Sequence, residues 1–351
     1  MCLGRCLKHV RQATAACRPA AACWVAGLLV LTPALAREVP AWQLVWSDEF
    51  DLPDGSAPDT RSWNYDVGGH GWGNAELQYY TNNRRRNARI EDGCLVIEAH
   101  QEAFPADGRT YDYTSARLHT AHKLDWTYGR VEARIRIPGG QGLWPAFWML
   151  GSKFFEVGWP ACGEIDIMEN LGGQPRTIHA SLHGPEYSKD LAETASYSIR
   201  GVPFRDNFHL FALDWEPSRI RISVDNTVYL DITARGLGPD RTWVFNEPFF
   251  VILNVAVGGL WPGYPDATTV FPQRMLVDYV RVYERTTAPQ PCLRIETFEG
   301  QVALSWPSTF PHARLQRAEA IDLPWQDVPL TGLISGENFR MTVAPGWYRL
   351  Q

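Results

Sequence analysis

Between residues 41 and 285 the chain reads almost entirely as short strands. The apolar residues of 130–137 alternate with charged ones, and those of 219–224 do the same before the turn pair Asp225-Asn226. Residues 249–257 form a nearly continuous apolar run, which is typical of a strand covered on both faces. Helix-period stretches with caps are nearly absent. The pattern predicts an all-β fold, either a two-sheet sandwich or a jelly roll.

Three carboxylates fall within six residues in the segment 163–170, which reads Gly-Glu-Ile-Asp-Ile-Met-Glu-Asn. The isoleucines alternate with Glu164 and Asp166, and this predicts a strand with one apolar face and one polar face. Strict alternation would turn Glu169 to the apolar face, where a lone ionised carboxylate costs several kcal/mol. We therefore predict a β-bulge at 167–168 that returns its side chain to the polar face.

Paired carboxyl groups on one face are what the cleavage of a glycosidic bond requires. Retaining enzymes use one ionised and one protonated carboxyl group about 5–5.5 Å apart. Glu164 and Glu169 can supply the pair, while Asp166 can hydrogen-bond one of them and raise the pKa of the other by its charge. The alternative is a solvated strand face, but stability gives no reason to place three like charges on one short strand.

Residues 1–36 indicate the compartment. Four basic residues and no acidic one accompany an apolar run that ends in Ala34-Leu35-Ala36, which predicts a signal peptide cleaved after Ala36. We expect a secreted or periplasmic protein without a membrane span after cleavage; an uncleaved anchor is the alternative. Cleavage would leave 29 of the 33 basic side chains against 39 acidic ones, a formal charge of −10. Such a surface does not suit nucleic acid.

Four of the seven cysteines lie in that segment, which leaves Cys94, Cys162 and Cys292 without metal-type spacing. We predict buried single thiols and a fold that rests on its hydrophobic core. The composition of 286–291 is that of a linker, and the strand-like pieces of 292–351 predict a small C-terminal β-sandwich-like module.

Tryptophans supply a second line of evidence. Strand periodicity places Trp144 and Trp148 on one face, while Trp72 and Trp261 lie in glycine-rich loops. Pyranose rings present flat C–H faces that pack on indoles, so a polysaccharide groove needs several exposed tryptophans. Core packing is the alternative for these four. We assign five further tryptophans to the core: Trp42, Trp46, Trp63, Trp215 and Trp243.

Together these residues resemble family 16 of the glycoside hydrolases, and within it the laminarinase-like endo-β-1,3-glucanases. Besides the carboxylate segment, the matching stretches are WSDEF at 46–50, GWGNAELQYYT at 71–81, TSAR at 114–117, GQGLWPAFWML at 140–150, WPACGE at 159–164 and VDYVRVY at 277–283. They occur in the family's order. The resemblance implies a concanavalin A-like β-jelly-roll sandwich with an open concave cleft, formed by a catalytic domain over 37–285.

The resemblance also implies roles for individual residues. In a retaining double displacement, Glu164 would be the nucleophile, Glu169 the acid/base and Asp166 the residue that supports the nucleophile. The positions that match sugar subsites of the family are Asn74, Glu76, Arg117, Trp144, Trp148, His183 and Trp261. No cofactor is implied for catalysis. A structural calcium ion is implied, with Glu49, the backbone carbonyl of Gly93 and Asp278 as oxygen ligands.

The expected function is therefore that of a secreted, monomeric endo-hydrolase of laminarin-type β-1,3-glucan. The alternatives are an endo-hydrolase or transglycosylase of another β-glycan, such as mixed-linkage glucan or agar-type galactan, and a non-catalytic β-glucan-recognition protein. The presence of both glutamates disfavours the last of these. Two departures from the family pattern, Leu260 and the segment 185–187, lie near the expected cleft ends and leave chain-length preference open.

Overall fold

The structure is a computed structural model. It describes residues 8–9, 41–286, 294–298, 301–307, 315–318, 326–328, 333–335, 338–343 and 347–350. The chain divides into two compact units, one formed by Trp42–Arg285 and the other by Met1–Ala41 with Thr286–Gln351. The predicted signal peptide lies outside the described residues except for β1 (Lys8–His9), and Cys292 lies outside them too.

The strands of the larger unit are β2 (Ala41–Asp48), β3 (Asn64–Asp66), β4 (Gln78–Tyr80), β5 (Ala88–Glu91), β6 (Cys94–Ala106), β7 (Arg109–Ser115), β8 (Arg117–His119), β9 (Gly129–Arg136), β10 (Leu143–Gly151), β11 (Glu164–Asn170), β12 (Thr177–His183), β13 (Glu193–Ser198), β14 (His209–Glu216), β15 (Arg219–Val224), β16 (Thr227–Thr233), β17 (Phe249–Val257) and β18 (Gln273–Thr286). Helical structure in this unit consists of α1 (Phe154–Val157) and two 3₁₀ turns, Lys189–Leu191 and Phe204–Asp206. Within the described ranges, no helix has the length and apolar character needed to cross a membrane.

Two large sheets form the layers of this unit. The seven-stranded sheet has the order β13-β12-β11-β10-β17-β8-β3, and the ten-stranded sheet runs β16-β15-β14-β9-β18-β6-β7-β4 with β2 and β5 paired at its side. One continuous cluster of buried apolar side chains draws members from both sheets, including Val131 of β9 and Phe147 of β10. This two-layer, all-β architecture is the jelly-roll sandwich expected from the sequence.

The strand patterns explain these layers. On β9, Val131, Ala133 and Ile135 are fully buried while Arg130, Arg134 and Arg136 are only partly buried, as the predicted alternation requires; Glu132 is buried as well. Every residue of β17 is buried, as expected for an apolar strand covered on both faces. The predicted turn after β15 is also present, because Asp225 and Asn226 both adopt positive φ between β15 and β16.

The smaller unit is described only in part. Its remaining strands are β19 (Arg294–Phe298), β20 (Gln301–Pro307), β21 (Leu315–Ala318), β22 (Gln326–Asp327), β23 (Leu333–Ser335), β24 (Asn338–Val343) and β25 (Trp347–Leu350). They pair in two four-stranded sheets, one of which includes β1. β18 ends at Thr286, the first residue of the predicted linker, and 287–291 lie outside the described residues. The predicted domain boundaries and C-terminal module stay predictions.

Candidate active site

The carboxylate segment forms β11 and contains the predicted bulge. Neighbouring β10 pairs Trp148 with Asp166 and Phe147 with Met168, so that Ile167 has no register partner there. On the other side, β12 pairs Ser181 with Asp166 and then His179 with Glu169. The extra residue restores Glu169 to the face that carries Asp166, which confirms the bulge.

Burial shows which face is which. Ile165, Ile167 and Met168 are fully buried in the core cluster between the sheets. Glu164, Asp166 and Glu169 lie on the opposite face of the seven-stranded sheet, which we call the outer face. Trp144 and Trp148 of β10 alternate with the core residues of that strand and therefore share this face, as the sequence predicts.

A glycine places the first carboxylate. Gly163 directly precedes Glu164 and has a φ of +80°. A Cβ atom at this position would lie 2.8 Å from the Phe249 ring and 2.9 Å from Val244, so both the backbone conformation and the space require glycine. The strand can then begin at Glu164 while the preceding turn packs tightly on the core.

Glu164, Asp166 and His183 form a compact cluster. Nε2 of His183 lies 3.0 Å from Oδ2 of Asp166 and 3.7 Å from Oε1 of Glu164. Nδ1 of the same imidazole accepts the backbone N–H of Lys189 at 3.2 Å. Because Nδ1 accepts this bond, the neutral imidazole carries its proton on Nε2, the ring nitrogen nearest Asp166.

The loop that supplies Lys189 is fixed to a neighbouring loop. The Tyr187 side chain is fully buried, and its hydroxyl donates to the carbonyl of Thr242 at 2.8 Å. Glu186 accepts the backbone N–H of Thr242 at 2.9 Å. The segment 185–187, which departs from the family pattern, therefore anchors the loop that orients His183.

Glu169 occupies the other end of the carboxylate row. Its Oε1 accepts the indole N–H of Trp144 at 3.0 Å, and 8% of the residue is exposed. Trp144 in turn lies edge-on to Trp261, with ring centroids 5.4 Å apart, and Trp261 is 44% exposed. His179 contacts the other side of Trp261 at 5.0 Å and is half-buried, in keeping with a structural role.

Burial raises the pKa values of all three carboxyl groups, and neighbouring negative charge adds to the effect on Glu164 and Glu169. Burial, followed by the charge of Asp166, raises the pKa of Glu164 to about 8. Burial raises the pKa of Asp166 to about 8 as well. Burial and then the charges of Asp166 and Glu164 raise the pKa of Glu169 well above its ordinary range. Glu169 is therefore the member of the cluster that most readily holds a proton.

Arg117 is the centre of a second group on the outer face. Its guanidinium pairs with Asp66 at 2.8 Å and lies over the rings of Trp72 and Trp148, at 4.8 and 4.7 Å from their centroids. The indole N–H of Trp148 is already donated to Asn254 at 2.8 Å. Trp148 therefore presents a fixed ring rather than a free donor.

Asn74 and Glu76 lie in the loop before β4. Glu76 accepts hydrogen bonds from Asn74 at 3.3 Å and from Gln78 at 2.7 Å, and burial raises the pKa of its carboxyl group. The carbonyl of Asn74 accepts the backbone N–H of Leu260 at 2.9 Å, which joins this loop to the Trp261 loop. Glu76 lies within electrostatic range of Arg117.

Several residues of the site were not found from the sequence. Asn254 holds Trp148 and donates to the hydroxyl of Tyr80, Asp66 pairs with Arg117, and the hydroxyl of Tyr229 bonds the carbonyl of Ile167. Their partners are distant in sequence, so no local spacing marks them. Trp159 lies in a matched stretch and contacts His183 at 6.0 Å, so it could have been selected from that motif.

Two sets of residues could be considered for metal binding. Among the described residues, Glu164, Asp166 and His183 have ligand atoms within 4.8 Å of one another. However, the proton on Nε2 of His183 occupies the position that a metal ion would need. The expected calcium ligands Glu49 and Asp278 both have arginine partners, Arg281 and Arg134, each at 2.7 Å.

Comparisons with known proteins also point to a glycosyl hydrolase family. The profile of the family described as Glycosyl hydrolases family 16 matches residues 75–281. A β-glucanase of Rhodothermus marinus is 48% identical over 256 residues, which cover 70% of this chain and 86% of the relative. A glucan endo-1,3-β-glucosidase of Cryptopygus antarcticus is 42% identical over 229 residues, covering 62% and 82% of the two chains.

A solved structure is similar in fold as well as in sequence. The catalytic domain of an endo-1,3-β-glucanase (laminarinase) from Thermotoga petrophila RKU-1 has a TM-score of 0.67 and 50% identity to this chain. The match covers 71% of this chain and all of the solved domain. The larger unit described above accounts for that similarity.

Proposed function

The chain belongs to family 16 of the glycosyl hydrolases, and from this premise we propose that it is a secreted, retaining endo-hydrolase of laminarin-type β-1,3-glucan. The observation that carries the proposal is the row of three carboxyl groups on bulged β11, beside the indoles of Trp144 and Trp261. Relatives that are named β-glucanase, glucan endo-1,3-β-glucosidase and laminarinase support the choice of glucan.

In the first step, a carboxylate oxygen of Glu164 attacks the anomeric carbon of the sugar. The bond from that carbon to the bridging oxygen breaks as Glu169 transfers its proton to the leaving chain. In the second step, the ionised Glu169 takes a proton from water, and the water oxygen displaces Glu164 from the sugar. Both residues return to their starting states, and the configuration of the sugar is retained.

The electrostatics of the site support this division of roles. Glu169 is flanked by Asp166 and Glu164, whose charges favour its protonated form. Glu164 lies within range of the Arg117 guanidinium, whose charge favours its ionised form. Asp166 lies between Nε2 of His183, 3.0 Å from its Oδ2, and the Glu164 carboxyl group, so it can orient the nucleophile.

Substrate binding is assigned to the surrounding side chains. Trp144 and Trp261 offer ring faces at the Glu169 end, where pyranose C–H groups can stack. Arg117, Asn74, Glu76 and His183 supply donors and acceptors for sugar hydroxyl groups, while Trp148 supplies a ring held by Asn254. The enzyme is proposed to act as a monomer.

Two further parts of the proposal have separate grounds. The basic and apolar composition of residues 1–36 supports export. A structural calcium ion at Glu49, Gly93 and Asp278 would have hard oxygen ligands, but it would compete with the arginine partners of both carboxylates. The fit of these residues to calcium is therefore poor in the observed arrangement, and catalysis as described does not use the ion.

The test compares product formation from laminarin, barley-type mixed-linkage glucan and agarose. We expect internal cleavage of laminarin, with the newly formed reducing ends first appearing in the β-configuration by NMR. Glu164→Gln and Glu169→Gln should each lose at least about 10²-fold in rate. Glu156→Gln, which removes an exposed carboxyl group on α1, should retain full activity. More than a tenth of the wild-type rate in either purified active-site variant would rule out the assignment.

A further inference from the structure

The bulge in β11 leaves one backbone residue outside the pairing of the sheet. Ile167 has no register partner in β10, where the pairing passes from Met168 directly to Asp166. It has none in β12 either, where the pairing passes from Asp166 to Glu169. The side chain of Ile167 is fully buried, so a carbonyl left unpaired here would be costly.

A tyrosine from the other layer donates a hydrogen bond to this residue. The hydroxyl of Tyr229 donates to the carbonyl oxygen of Ile167 at 2.7 Å. Tyr229 lies on β16, the last strand of the ten-stranded sheet, whereas β11 belongs to the seven-stranded sheet. The phenol therefore reaches between the layers to the residue of β11 that has no register partner in either neighbouring strand.

We propose that Tyr229 is a positioning residue for Glu169: its hydroxyl fixes the bulge that keeps this carboxyl group on the outer face. The inference rests on the role of Glu169 in the proposed function. Because side chains alternate along a strand, a change of one residue in the pairing would turn Glu169 toward the core. The bulge therefore determines which face of the sheet carries the Glu169 side chain, and the hydrogen bond from Tyr229 stabilises the bulge on its core side.

The surroundings of Glu169 determine what a displaced bulge would change. Trp144 donates to its carboxyl group, and the charged or titratable groups that act on it are Asp166, Glu164, His183 and Tyr229 itself. A small displacement of the backbone at Ile167 would move Glu169 relative to these groups. Misplacement of a catalytic group by about 1 Å can cost about 10²-fold in rate.

The test compares Tyr229→Phe with Tyr197→Phe. The Tyr197 ring lies 6.2 Å from that of Tyr229, and its hydroxyl makes no hydrogen bond within the described part of the chain. We expect Tyr229→Phe to lower kcat on laminarin by about ten- to a hundredfold with little change in KM. The alkaline limb of its pH–rate profile should move to lower pH, because a displaced Glu169 is less buried and loses its proton more easily. Tyr197→Phe should change neither quantity.

Hydrogen exchange of the peptide covering 164–170 provides a readout that does not depend on the substrate. Exchange should accelerate in Tyr229→Phe and remain as in the wild type in Tyr197→Phe. If the wild type is active and Tyr229→Phe shows the same exchange, kcat and alkaline limb as the wild type, Tyr229 has no positioning role. The proposed function is then unaffected. A wild type that cleaves no glucan overturns the proposed function. Faster hydrogen exchange of 164–170 in Tyr229→Phe would even then show that Tyr229 stabilises the bulge.

A conservative replacement covers the case in which Tyr229→Phe does not fold. p-Aminophenylalanine at position 229 keeps an N–H donor at the same place on the ring. Recovery of the folded state, kcat and the alkaline limb by this replacement supports the proposal. A p-aminophenylalanine variant that behaves like Tyr229→Phe overturns the proposal, because the restored N–H donor would then have no effect. The defect of Tyr229→Phe would have a cause other than the lost hydrogen bond.

Discussion

The indole N–H of Trp144 donates a 3.0 Å hydrogen bond to Oε1 of Glu169, and thereby joins a ring proposed to stack on sugar to the carboxyl group proposed as the acid/base. A donated N–H stabilises the ionised form of a carboxyl group, so this bond lowers the pKa of Glu169 against the stronger effects of burial and like charge. The same side chain is therefore placed to affect both substrate binding and the pH range of proton transfer.

Trp144→Phe should move the alkaline limb of the pH–rate profile to higher pH. The acid works in its protonated form, and activity is lost as the pH rises through its pKa. Removing the N–H donor raises that pKa, so the limb follows it upward. The control is Trp148→Phe, which removes an N–H donated to Asn254 instead of a carboxyl group. A limb that stays in place in Trp144→Phe would show that the bond has no effect on Glu169.

Asp166→Asn should move the same limb in the opposite direction. The charge of Asp166 raises the pKa of Glu169, and the asparagine removes that charge while its amide oxygen can still accept the N–H of His183. The limb should therefore appear at lower pH. Asp190→Asn, at an exposed position, tests for a general effect of charge removal. An upward shift or none would mean that Asp166 acts only by orienting its neighbours.

Glu164→Gln should stabilise the fold, and more so as the pH rises. The pKa of Glu164 is about 8 in the folded chain against an ordinary value of 4.5. Between these values the folded state holds a proton that the unfolded state has released, so stability falls as pH increases. We expect no difference in Tm from the wild type near pH 4, and an increase of about 2–4 °C at pH 8 for a gain of about 1 kcal/mol.

Thermal unfolding at several pH values measures this effect, with the exposed Glu156→Gln as the matched control. A difference in Tm that does not depend on pH would contradict it, because burial of the Glu164 carboxyl group would then carry no free-energy cost. The experiment is independent of activity, so it also examines the electrostatics of the cluster separately from the reaction.

Local patterns were sufficient for much of the fold and for part of the site. The bulge followed from the cost of burying Glu169, and the buried thiols of Cys94 and Cys162 followed from the absence of a pairing pattern; the structure confirms both. Trp63 and Trp215 are core residues as predicted, each 1% exposed. In all these cases the evidence lies within a few residues of the position concerned.

Contacts between distant segments could not be predicted in this way. The Tyr229 bond spans 62 positions and the Trp148–Asn254 bond spans 106. No periodicity connects such positions, because the pairing depends on how the two sheets and their strands are ordered. The basic run 84–86 gives a smaller example: Arg84 and Arg86 both pair with Glu102, a partner that the sequence does not indicate.

Trp261→Ala should weaken binding of the glucan chain without removing cleavage. The indole is 44% exposed and lies edge-on to Trp144, outside hydrogen-bonding contact with the carboxyl groups in the described structure. A stacking contact contributes about 0.5–1.5 kcal/mol beyond the burial of area, so KM for laminarin should rise by about two- to tenfold. kcat should change much less, and the distribution of product lengths should shift as one subsite weakens.

The control for Trp261→Ala is Leu260→Ala, which trims a neighbouring side chain that is 78% exposed. Chromatography of the products together with kcat and KM separates the two effects, since a loss confined to kcat would place Trp261 in the chemical step rather than in chain binding.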